Sequence, residues 1–321
     1  MQQGNTLEKL PLSGDKLKVA LVAARQSLGN IILGKNSEIA LALACLLARG
    51  HLLIEDLPGL GKTILAQSLA RVLGLSFQRI QFTSDLLPAD IVGVSIFRQE
   101  SGEFEFQRGP IFAELVLADE VNRATPKAQS ALLEAMEERQ VSVDGQTHSL
   151  PSPYFVVATQ NPSDQIGTFP LPESQLDRFL MRLELGYPNE ENERALLTGT
   201  DRRQLLAEVG PVLNPEVLAA LQDAVAKVHM TDPLIDYIQA LVRFTRESPD
   251  IETGLSPRGA LALVAAARAH AYVESHSGVF PDDVQAVFAS VAGHRLKPAS
   301  SSAYRTPAEL SRYVLDNVHI P

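Results

Sequence analysis

The segment Asp56-Leu57-Pro58-Gly59-Leu60-Gly61-Lys62-Thr63 has the residue types and spacing that suit binding of a nucleotide phosphate chain. Gly59 and Gly61 let backbone N–H groups wrap phosphate oxygens, and the N-terminus of a following helix adds a favourable dipole. Lys62 supplies a positive charge for the β- and γ-phosphates, and Thr63 supplies a hydroxyl for Mg²⁺. We therefore predict that this segment binds ATP together with Mg²⁺.

Asp56 departs from the phosphate-loop pattern G-x-x-x-x-G-K-[ST], which has its first glycine at this position. The position lies at the end of a predicted strand, away from the tightest part of the loop, so we expect the loop to tolerate it. Ile64 follows Thr63 and completes the predicted nucleotide-binding set. The alternative is a glycine–proline turn with a surface lysine, which the predicted strand before and helix after it disfavour.

Two adjacent acids, Asp119 and Glu120, follow the apolar run Leu115-Val116-Leu117-Ala118. Such a run predicts a buried strand that delivers both carboxylates to the edge where open α/β sheets bind ligands. We expect Asp119 to hold Mg²⁺ through water and Glu120 to act as general base on the attacking water. Taken alone, a strand that ends in a solvated acidic turn explains the pair better. The position of the acid pair downstream of a phosphate loop favours the catalytic interpretation over the solvated turn.

The elements around these residues alternate between strand and helix, which is typical of a doubly wound α/β fold with a parallel sheet. Strands are predicted at His51–Glu55, Ser76–Phe82, Leu115–Asp119, Phe155–Thr159 and Phe179–Leu185. Helices are predicted within Asp15–Arg49, with a break near Gly29–Gly34, at Lys62–Leu73 and at Thr125–Arg139.

Two short segments interrupt this alternation. Residues Ile91–Gln107 alternate weakly around Ser101-Gly102, which predicts a small β insertion. Residues Val141–Thr147 contain Asp144-Gly145, a dipeptide that suits a type I′ turn, so we predict a β-hairpin there.

The pattern changes after Pro188, and residues 190–295 predict helices only. Ser256-Pro257 and Pro281-Asp282-Asp283 are typical of helix starts, and a last short helix is predicted at Pro307–Asn317. We therefore expect three parts: an N-terminal helical segment over 1–35, an α/β ATPase domain over 36–189, and a helical domain with a C-terminal tail over 190–321.

Composition sets limits on location and partners. The chain has 321 residues, 45% of them hydrophobic, and its formal charge is −10, which gives no support to nucleic-acid binding. The single cysteine, Cys45, excludes an intramolecular disulfide, fits a reducing compartment, and is expected in the core. The run Ile39–Ala48 is too short to span a bilayer, and Met1–Pro11 lacks a signal-peptide pattern. We expect a cytoplasmic protein without membrane insertion.

The sequence closely resembles the MoxR family of AAA+ ATPases, and the resemblance covers nearly the whole chain. The order and spacing of its motifs are specific. They are GHLLIEDLPGLGKT (50–63), LADEVNRATPKAQSALLEAMEERQVSVDG (117–145), ATQNP (158–162), LPESQLDRFLMRLELGYP (171–188), LSPRGALAL (255–263) and TPAELSRYVLDNVHIP (306–321). The two β interruptions match the helix-2 insert and the pre-sensor-1 hairpin of this clade.

The resemblance implies roles for three further residues. Asn161 matches sensor 1, which orients the water or the γ-phosphate, although Asn161-Pro162 is also an ordinary turn starter. Arg178 matches the arginine finger, which acts on a neighbouring subunit's nucleotide; the alternative is an ion pair with Glu173 or Asp177. Arg258 matches sensor 2, which reaches from the helical lid to the γ-phosphate. Arg123 stands in a family motif without an assigned role.

The implied function is Mg²⁺-dependent ATP hydrolysis by a hexameric ring that acts as a chaperone-like remodelling or maturation factor. The implied client is a protein with a von Willebrand factor A domain. One alternative is a nucleic-acid motor or a chelatase-type subunit of the same clade, which the acidic charge disfavours. Another is a nucleotide-gated scaffold without catalysis, which the presence of Lys62 and Glu120 disfavours. His270 and Glu274, one helical turn apart, have no third metal ligand nearby and are expected at the surface.

Overall fold

A computed structural model of the chain describes residues 14–161, 168–300, 302–304 and 306–320. The expectation for Met1–Pro11 and the proline of the ATQNP motif therefore lie outside the described residues. Among the helices in the described ranges, none has the length and apolar character that crossing a membrane requires.

The strands, numbered along the chain, are β1 (Leu52–Glu55), β2 (Phe77–Gln81), β3 (Gly93–Arg98), β4 (Glu103–Arg108), β5 (Leu115–Asp119), β6 (Gln140–Val143), β7 (Gln146–Ser149), β8 (Phe155–Gln160), β9 (Met181–Leu183), β10 (Ile251–Thr253) and β11 (Lys297–Pro298). The helices are α1 (Gly14–Ile31), α2 (Asn36–Leu47), α3 (Lys62–Leu73), α4 (Pro88–Val92), α5 (Pro126–Glu138), α6 (Glu173–Leu176), α7 (Glu190–Thr198), α8 (Arg202–Glu208), α9 (Pro215–Ala226), α10 (Asp232–Glu247), α11 (Pro257–Val273), α12 (Pro281–Ala292) and α13 (Pro307–Asn317).

Five strands form one parallel sheet in the order β2-β5-β8-β1-β9. Successive side chains of β1 point to opposite faces. Leu52 and Ile54 therefore join one hydrophobic cluster with α2 and α3, whereas Leu53 joins a second cluster with α5. Helices thus cover both faces of the sheet, which confirms the predicted α/β fold.

Both predicted β interruptions are hairpins. Strands β3 and β4 pair antiparallel around Ser101-Gly102, and β6 pairs with β7 across Asp144-Gly145. Asp144 has φ 51° and Gly145 has φ 77°. A type I′ turn requires positive φ at both central residues, which explains why this dipeptide predicted the hairpin correctly.

The C-terminal region differs in one detail from the expectation of helices only. Strands β10 and β11 form a short antiparallel pair, extended by a hydrogen bond from the Ala299 amide to the Asp250 carbonyl (2.9 Å). The segment between α10 and α11 is too short for another helix, and it buries the β-branched Ile251. Its pairing partner lies far along the chain, so local sequence patterns do not reveal the pair.

The expectation that His270 lies at the surface is wrong. Its side chain is 14% exposed, and its Nδ1 lies 2.8 Å from Oδ1 of Asp283, a fully buried carboxylate at the start of α12. Glu274, which is 30% exposed, forms an ion pair with Arg25 of α1 (2.9 Å). Cys45 is fully buried, as expected, and burial raises the pKa of its thiol.

The C-terminal helices pack directly against the rest of the molecule. One hydrophobic cluster contains residues of α1, α2 and α3, one face of the sheet, and helices α9 to α13. Helix α11 packs on α2, and α12 packs on the edge strand β9. These contacts bring the end of α12 beside the residues that immediately precede β9.

His51, immediately before β1, joins three elements of this core. Its Nδ1 accepts a hydrogen bond from the Val156 amide (3.0 Å), and its Nε2 lies 3.3 Å from the Met136 carbonyl oxygen. Both contacts are satisfied by the neutral ring with its proton on Nε2. Burial lowers the pKa of His51 from its ordinary value of 6.5 to about 4.

We predict that protonation of His51 makes the fold less stable at low pH. Between pH 6.5 and 4 the unfolded chain binds a proton that the folded chain does not, so the free energy of unfolding should fall as pH falls. The loss should total about 3 kcal/mol and level off below pH 4. Denaturant titrations at several pH values measure it. His51→Gln retains a donor and an acceptor but does not titrate, so its pH profile should be flatter; parallel profiles would contradict the prediction.

Candidate active site

The phosphate loop has the backbone conformation that its glycines predict. Gly59 has φ 86° and Gly61 has φ 88°, and a Cβ at either position would meet open space. The left-handed conformation, rather than a lack of room, is therefore what requires glycine there. Gly61 is the N-cap of α3, so the first-turn amides of this helix are available to an anion beside the loop.

Asp56 anchors the loop to the edge strand of the sheet. Its Oδ2 accepts hydrogen bonds from the amides of Leu185 (2.7 Å) and Gly186 (2.6 Å), which follow β9. Its Oδ1 accepts one from the Leu57 amide (2.8 Å). The aspartate in place of the usual first glycine thus ties the start of the loop to a neighbouring strand. The sequence alone offers no signal for this contact because its partners are backbone groups far along the chain.

Lys62 is buried and points at the ends of two strands. Its Nζ donates to Oδ1 of Asn161 (3.0 Å) and to the carbonyl oxygens of Asp56, Leu57 (3.3 Å) and Gln160 (3.4 Å). Burial lowers the pKa of Lys62, and the carboxylates around it oppose that shift. An ammonium group held in this position can exchange carbonyl oxygens for phosphate oxygens without leaving the loop.

Asp119 is buried at the end of β5 with both of its oxygens bound. The hydroxyl of Thr159 donates to Oδ1 (2.5 Å), and Arg79 of β2 donates twice to Oδ2, from Nε (2.9 Å) and from Nη2 (2.7 Å). These contacts fix the carboxylate without any residue that the sequence analysis singled out. Because both oxygens already accept hydrogen bonds, contact with Mg²⁺ through water suits Asp119 better than direct ligation.

Glu120 adopts a left-handed backbone conformation with φ 57°, which turns its side chain away from the strand. Its amide donates to the Thr159 hydroxyl (2.9 Å). Its Oε2 accepts from Gln81 (2.9 Å) and lies 3.3 Å from Nε of Arg123, while its Oε1 accepts from Asn161 (3.3 Å). The structure therefore gives Arg123 a contact with the predicted general base.

Asn161 joins the loop to the acid pair. It accepts from Lys62 through Oδ1 and donates to Glu120 through Nδ2. These residues follow β1, β8 and β5, and parallel strands end at the same edge of the sheet, called here the carboxyl edge. The structure thus brings Lys62, Asp119, Glu120 and Asn161 together at the carboxyl edge.

A cleft of about 460 Å³ opens beside the phosphate loop. It is lined by the loop, the end of α1, and α7 with its preceding residues, and it includes apolar side chains such as Ile31, Ile64, Leu196 and Leu197. Its volume and apolar lining are typical of a site for a small organic ligand. Ile64 belongs to the predicted nucleotide-binding set, whereas no motif in the sequence singles out Ile31, Leu196 or Leu197, which come from distant segments.

Arg178 and Arg258 meet at a different place. Both contact Glu137 near the end of α5: Nη2 of Arg178 lies 2.7 Å from Oε2, and Nη2 of Arg258 lies 2.8 Å from Oε1. Arg178 also donates to the Leu133 carbonyl (2.5 Å). The acid that Arg178 pairs with is thus neither Glu173 nor Asp177. Two guanidinium groups converge on one anionic group.

This arginine pair lies at the amino edge of the sheet, where the strands begin. Met136, next to Glu137, contacts His51, and the Leu180 amide donates to the His51 carbonyl (2.9 Å). His51 precedes β1 and Asp56 follows it, so about 16 Å of strand separates the two edges. Arg258 therefore lies beside Arg178 and not beside the phosphate loop of its own chain.

The donor set at the carboxyl edge fits Mg²⁺ bound together with a nucleotide. The Thr63 hydroxyl and the Asp119 carboxylate supply oxygen, which Mg²⁺ prefers. Mg²⁺ is usually held by one or two carboxylates together with substrate phosphates, and the loop that suits phosphate binding lies at the same edge of the sheet as these oxygens.

Two family profiles match the chain. The profile of the ATPase family associated with various cellular activities (AAA) matches residues 51–181, and the AAA lid domain profile matches residues 243–312. A crystal structure of a candidate ATPase from Cytophaga hutchinsonii is 33% identical, with a TM-score of 0.86 over 96% of this chain and 97% of that one.

Two relatives match most of their own length. The YeaC protein of Bacillus subtilis is 43% identical over 96% of this chain and 97% of its own. Chaperone MoxR1 of Mycobacterium tuberculosis is 42% identical over 83% of this chain and 72% of its own. Together with the nucleotide-type loop and the acid pair at the carboxyl edge, these similarities show that the chain belongs to the MoxR family of AAA+ ATPases.

Proposed function

We propose that the chain binds ATP with Mg²⁺ and hydrolyses it in a ring, where each site combines the loop of one subunit with arginines of the next. The observation that carries this proposal is the division of the site residues between two edges of one sheet. Lys62, Glu120 and Asn161 lie at the carboxyl edge, and Arg178 and Arg258 lie at the amino edge.

The carboxyl edge supplies nucleotide binding and the general base. The loop amides and Lys62 bind the phosphates of ATP, and the adenine ring of ATP lies in the adjacent cleft. Thr63 and, through water, Asp119 would hold Mg²⁺, which neutralises charge on the phosphate oxygens when bound. Glu120 accepts a proton from the attacking water, while Asn161 holds the Glu120 carboxylate in place.

The amino edge supplies positive charge to a different nucleotide. Arg178 and Arg258 share one carboxylate, so their guanidinium groups point at a common position that a phosphate oxygen can take. Since about 16 Å of strand lies between them and their own loop, that phosphate belongs to a second copy of the chain. This assigns action in trans to both arginines, rather than to Arg178 alone.

The cellular role is proposed from the family. The name chaperone that MoxR1 carries supports a chaperone-like action on a protein client, for which we propose a von Willebrand factor A domain. We propose a hexameric ring as the active form and the cytoplasm as its location. Affinity capture with the Glu120→Gln variant in its ATP-bound state, followed by mass spectrometry of the captured proteins, tests the proposed client. Recovery of DNA with the protein would instead support a nucleic-acid motor.

Lys62→Ala should weaken ATP binding by at least about tenfold, because a charge-assisted contact to phosphate contributes about 1.5–3 kcal/mol. Isothermal titration calorimetry measures the affinity. Lys16→Ala, which removes an exposed lysine of α1, is the matched control and should bind ATP as the wild type does. Equal affinity in Lys62→Ala and wild type would refute the assignment of the loop.

Glu120→Gln should bind ATP normally and lose turnover by about 10²–10⁴-fold, because it keeps the size of the side chain but removes the base. Steady-state phosphate release and nucleotide titration separate the two effects. Glu134→Gln, on an exposed position of α5, controls for loss of one negative charge. Turnover near the wild-type rate would show that Glu120 is not the base.

Arg178→Ala and Arg258→Ala should each bind ATP normally. Their rate of ATP hydrolysis should fall below that of the wild type, by about 10³-fold for a finger arginine. Mixing either variant with Glu120→Gln should raise activity above both parents, because some interfaces then pair an intact loop and base with an intact arginine. ATPase assays on mixtures, with native mass spectrometry to show mixed rings, measure the gain. Mixed rings without any gain would exclude action in trans.

A further inference from the structure

The segment that carries Arg178 wraps around one side chain of the C-terminal region, Arg295. Its Nε donates to Oδ1 of Asp177 (2.7 Å), and its Nη2 donates to the carbonyl oxygens of Asp177 (3.3 Å) and Phe179 (2.7 Å). Its Nη1 donates to the carbonyl oxygens of Leu180 (3.2 Å) and Val291. A guanidinium has five N–H donors. Four of these hydrogen bonds go to residues on either side of Arg178.

This contact is buried. The Arg295 side chain is 5% exposed, and its ion pair with Asp177 compensates the loss of hydration. Burial also lowers the pKa of the adjacent His294 well below its ordinary value of 6.5, so His294 is neutral at pH 7. Its Nε2 lies 3.0 Å from the Phe179 carbonyl oxygen and 2.8 Å from Nη1 of Arg295. Two consecutive residues after α12 thus hold the backbone that leads from α6 into β9.

The direction of these contacts determines where Arg178 points. The carbonyl groups of residues 177, 179 and 180 face Arg295, while the Arg178 side chain extends to Leu133 and Glu137 on α5. Any shift of Arg295 would therefore move the backbone from which Arg178 starts. The second oxygen of Asp177 lies 3.5 Å from the Ser256 hydroxyl, which caps the helix that carries Arg258.

We propose that Arg295 is a positioning residue for Arg178 and links the placement of the C-terminal helices to the arginine offered to the neighbouring subunit. The proposal rests on the proposed action of Arg178 in trans. Arg295 contacts backbone and Asp177 rather than a reacting group, so it acts through Arg178. Its position 117 residues downstream of Arg178 in the sequence explains why no local motif reveals the pairing.

Arg295→Lys is the sharpest variant because it keeps the charge and loses the planar fork of donors. A lysine has its three donors on one atom, so it lacks the three separate nitrogen positions from which Arg295 donates to Asp177, Phe179 and Leu180. We expect kcat to fall by about 10- to 100-fold, as for a displaced catalytic group, while the KM for ATP and the calorimetric affinity stay within about twofold. Arg246→Lys, at a lid arginine that donates to the Leu255 carbonyl, is the matched control.

Mixed rings separate positioning from general damage. Arg295→Lys subunits keep their own loop and base, so mixing them with Glu120→Gln subunits should restore activity above both parents. Mixing them with Arg178→Ala subunits should restore nothing, because both variants then lack a working finger. Wild-type activity in Arg295→Lys, or the reverse pattern of complementation, would overturn the proposal.

Two further measurements keep the outcome decisive. If Arg295→Lys lowers the melting temperature so far that rings do not form, the Asp177→Asn variant is used instead. Asp177→Asn removes the charged partner of Arg295 and keeps an acceptor oxygen. The same complementation pattern is expected for it. If Arg178→Ala with Glu120→Gln shows no gain, action in trans itself fails. If that pair gains activity and neither Arg295→Lys nor Asp177→Asn does with Glu120→Gln, only the positioning role is refuted.

Discussion

The parallel direction of the central sheet is the constraint on which the arrangement of this chain depends. Because all five strands run the same way, every residue that follows a strand gathers at the carboxyl edge and every residue that precedes one gathers at the amino edge. Lys62, Glu120 and Asn161 belong to the first group, and Arg178, which precedes β9, belongs to the second. Side chains cannot bridge a strand length of about 16 Å.

Charge balance within each edge follows from burial. At the carboxyl edge Asp119 is buried, and Arg79 and Thr159 satisfy both of its oxygens. At the amino edge Glu137 satisfies two arginines at once. A buried or half-buried charge without a partner would be costly, so each edge keeps its charged groups in place through neighbours that do not take part in the proposed reaction.

The sequence predicted most of the fold because the signals for it were local. The run 115–119 and the Asp144-Gly145 turn depend on neighbours in the chain, and both appear where expected. The same local signals located the loop and the acid pair. The anchoring of Asp56 by the amides after β9, the ion pair of Arg79 with Asp119, and the strand pair β10–β11 depend on contacts across the fold. No pattern within a short window of sequence encodes such contacts.

The position of the C-terminal helices is the other feature that local patterns did not reveal, and it changes what these helices do. The motif around Arg258 implies a lid that reaches a γ-phosphate, but Ser256, Arg258 and Arg295 all converge on the region around Arg178 and Glu137. The C-terminal helices therefore contact the amino edge of the sheet in their own chain. Under the proposed mechanism, any event that moves these helices, such as client binding, changes hydrolysis in the neighbouring subunit first, because that is where these arginines act.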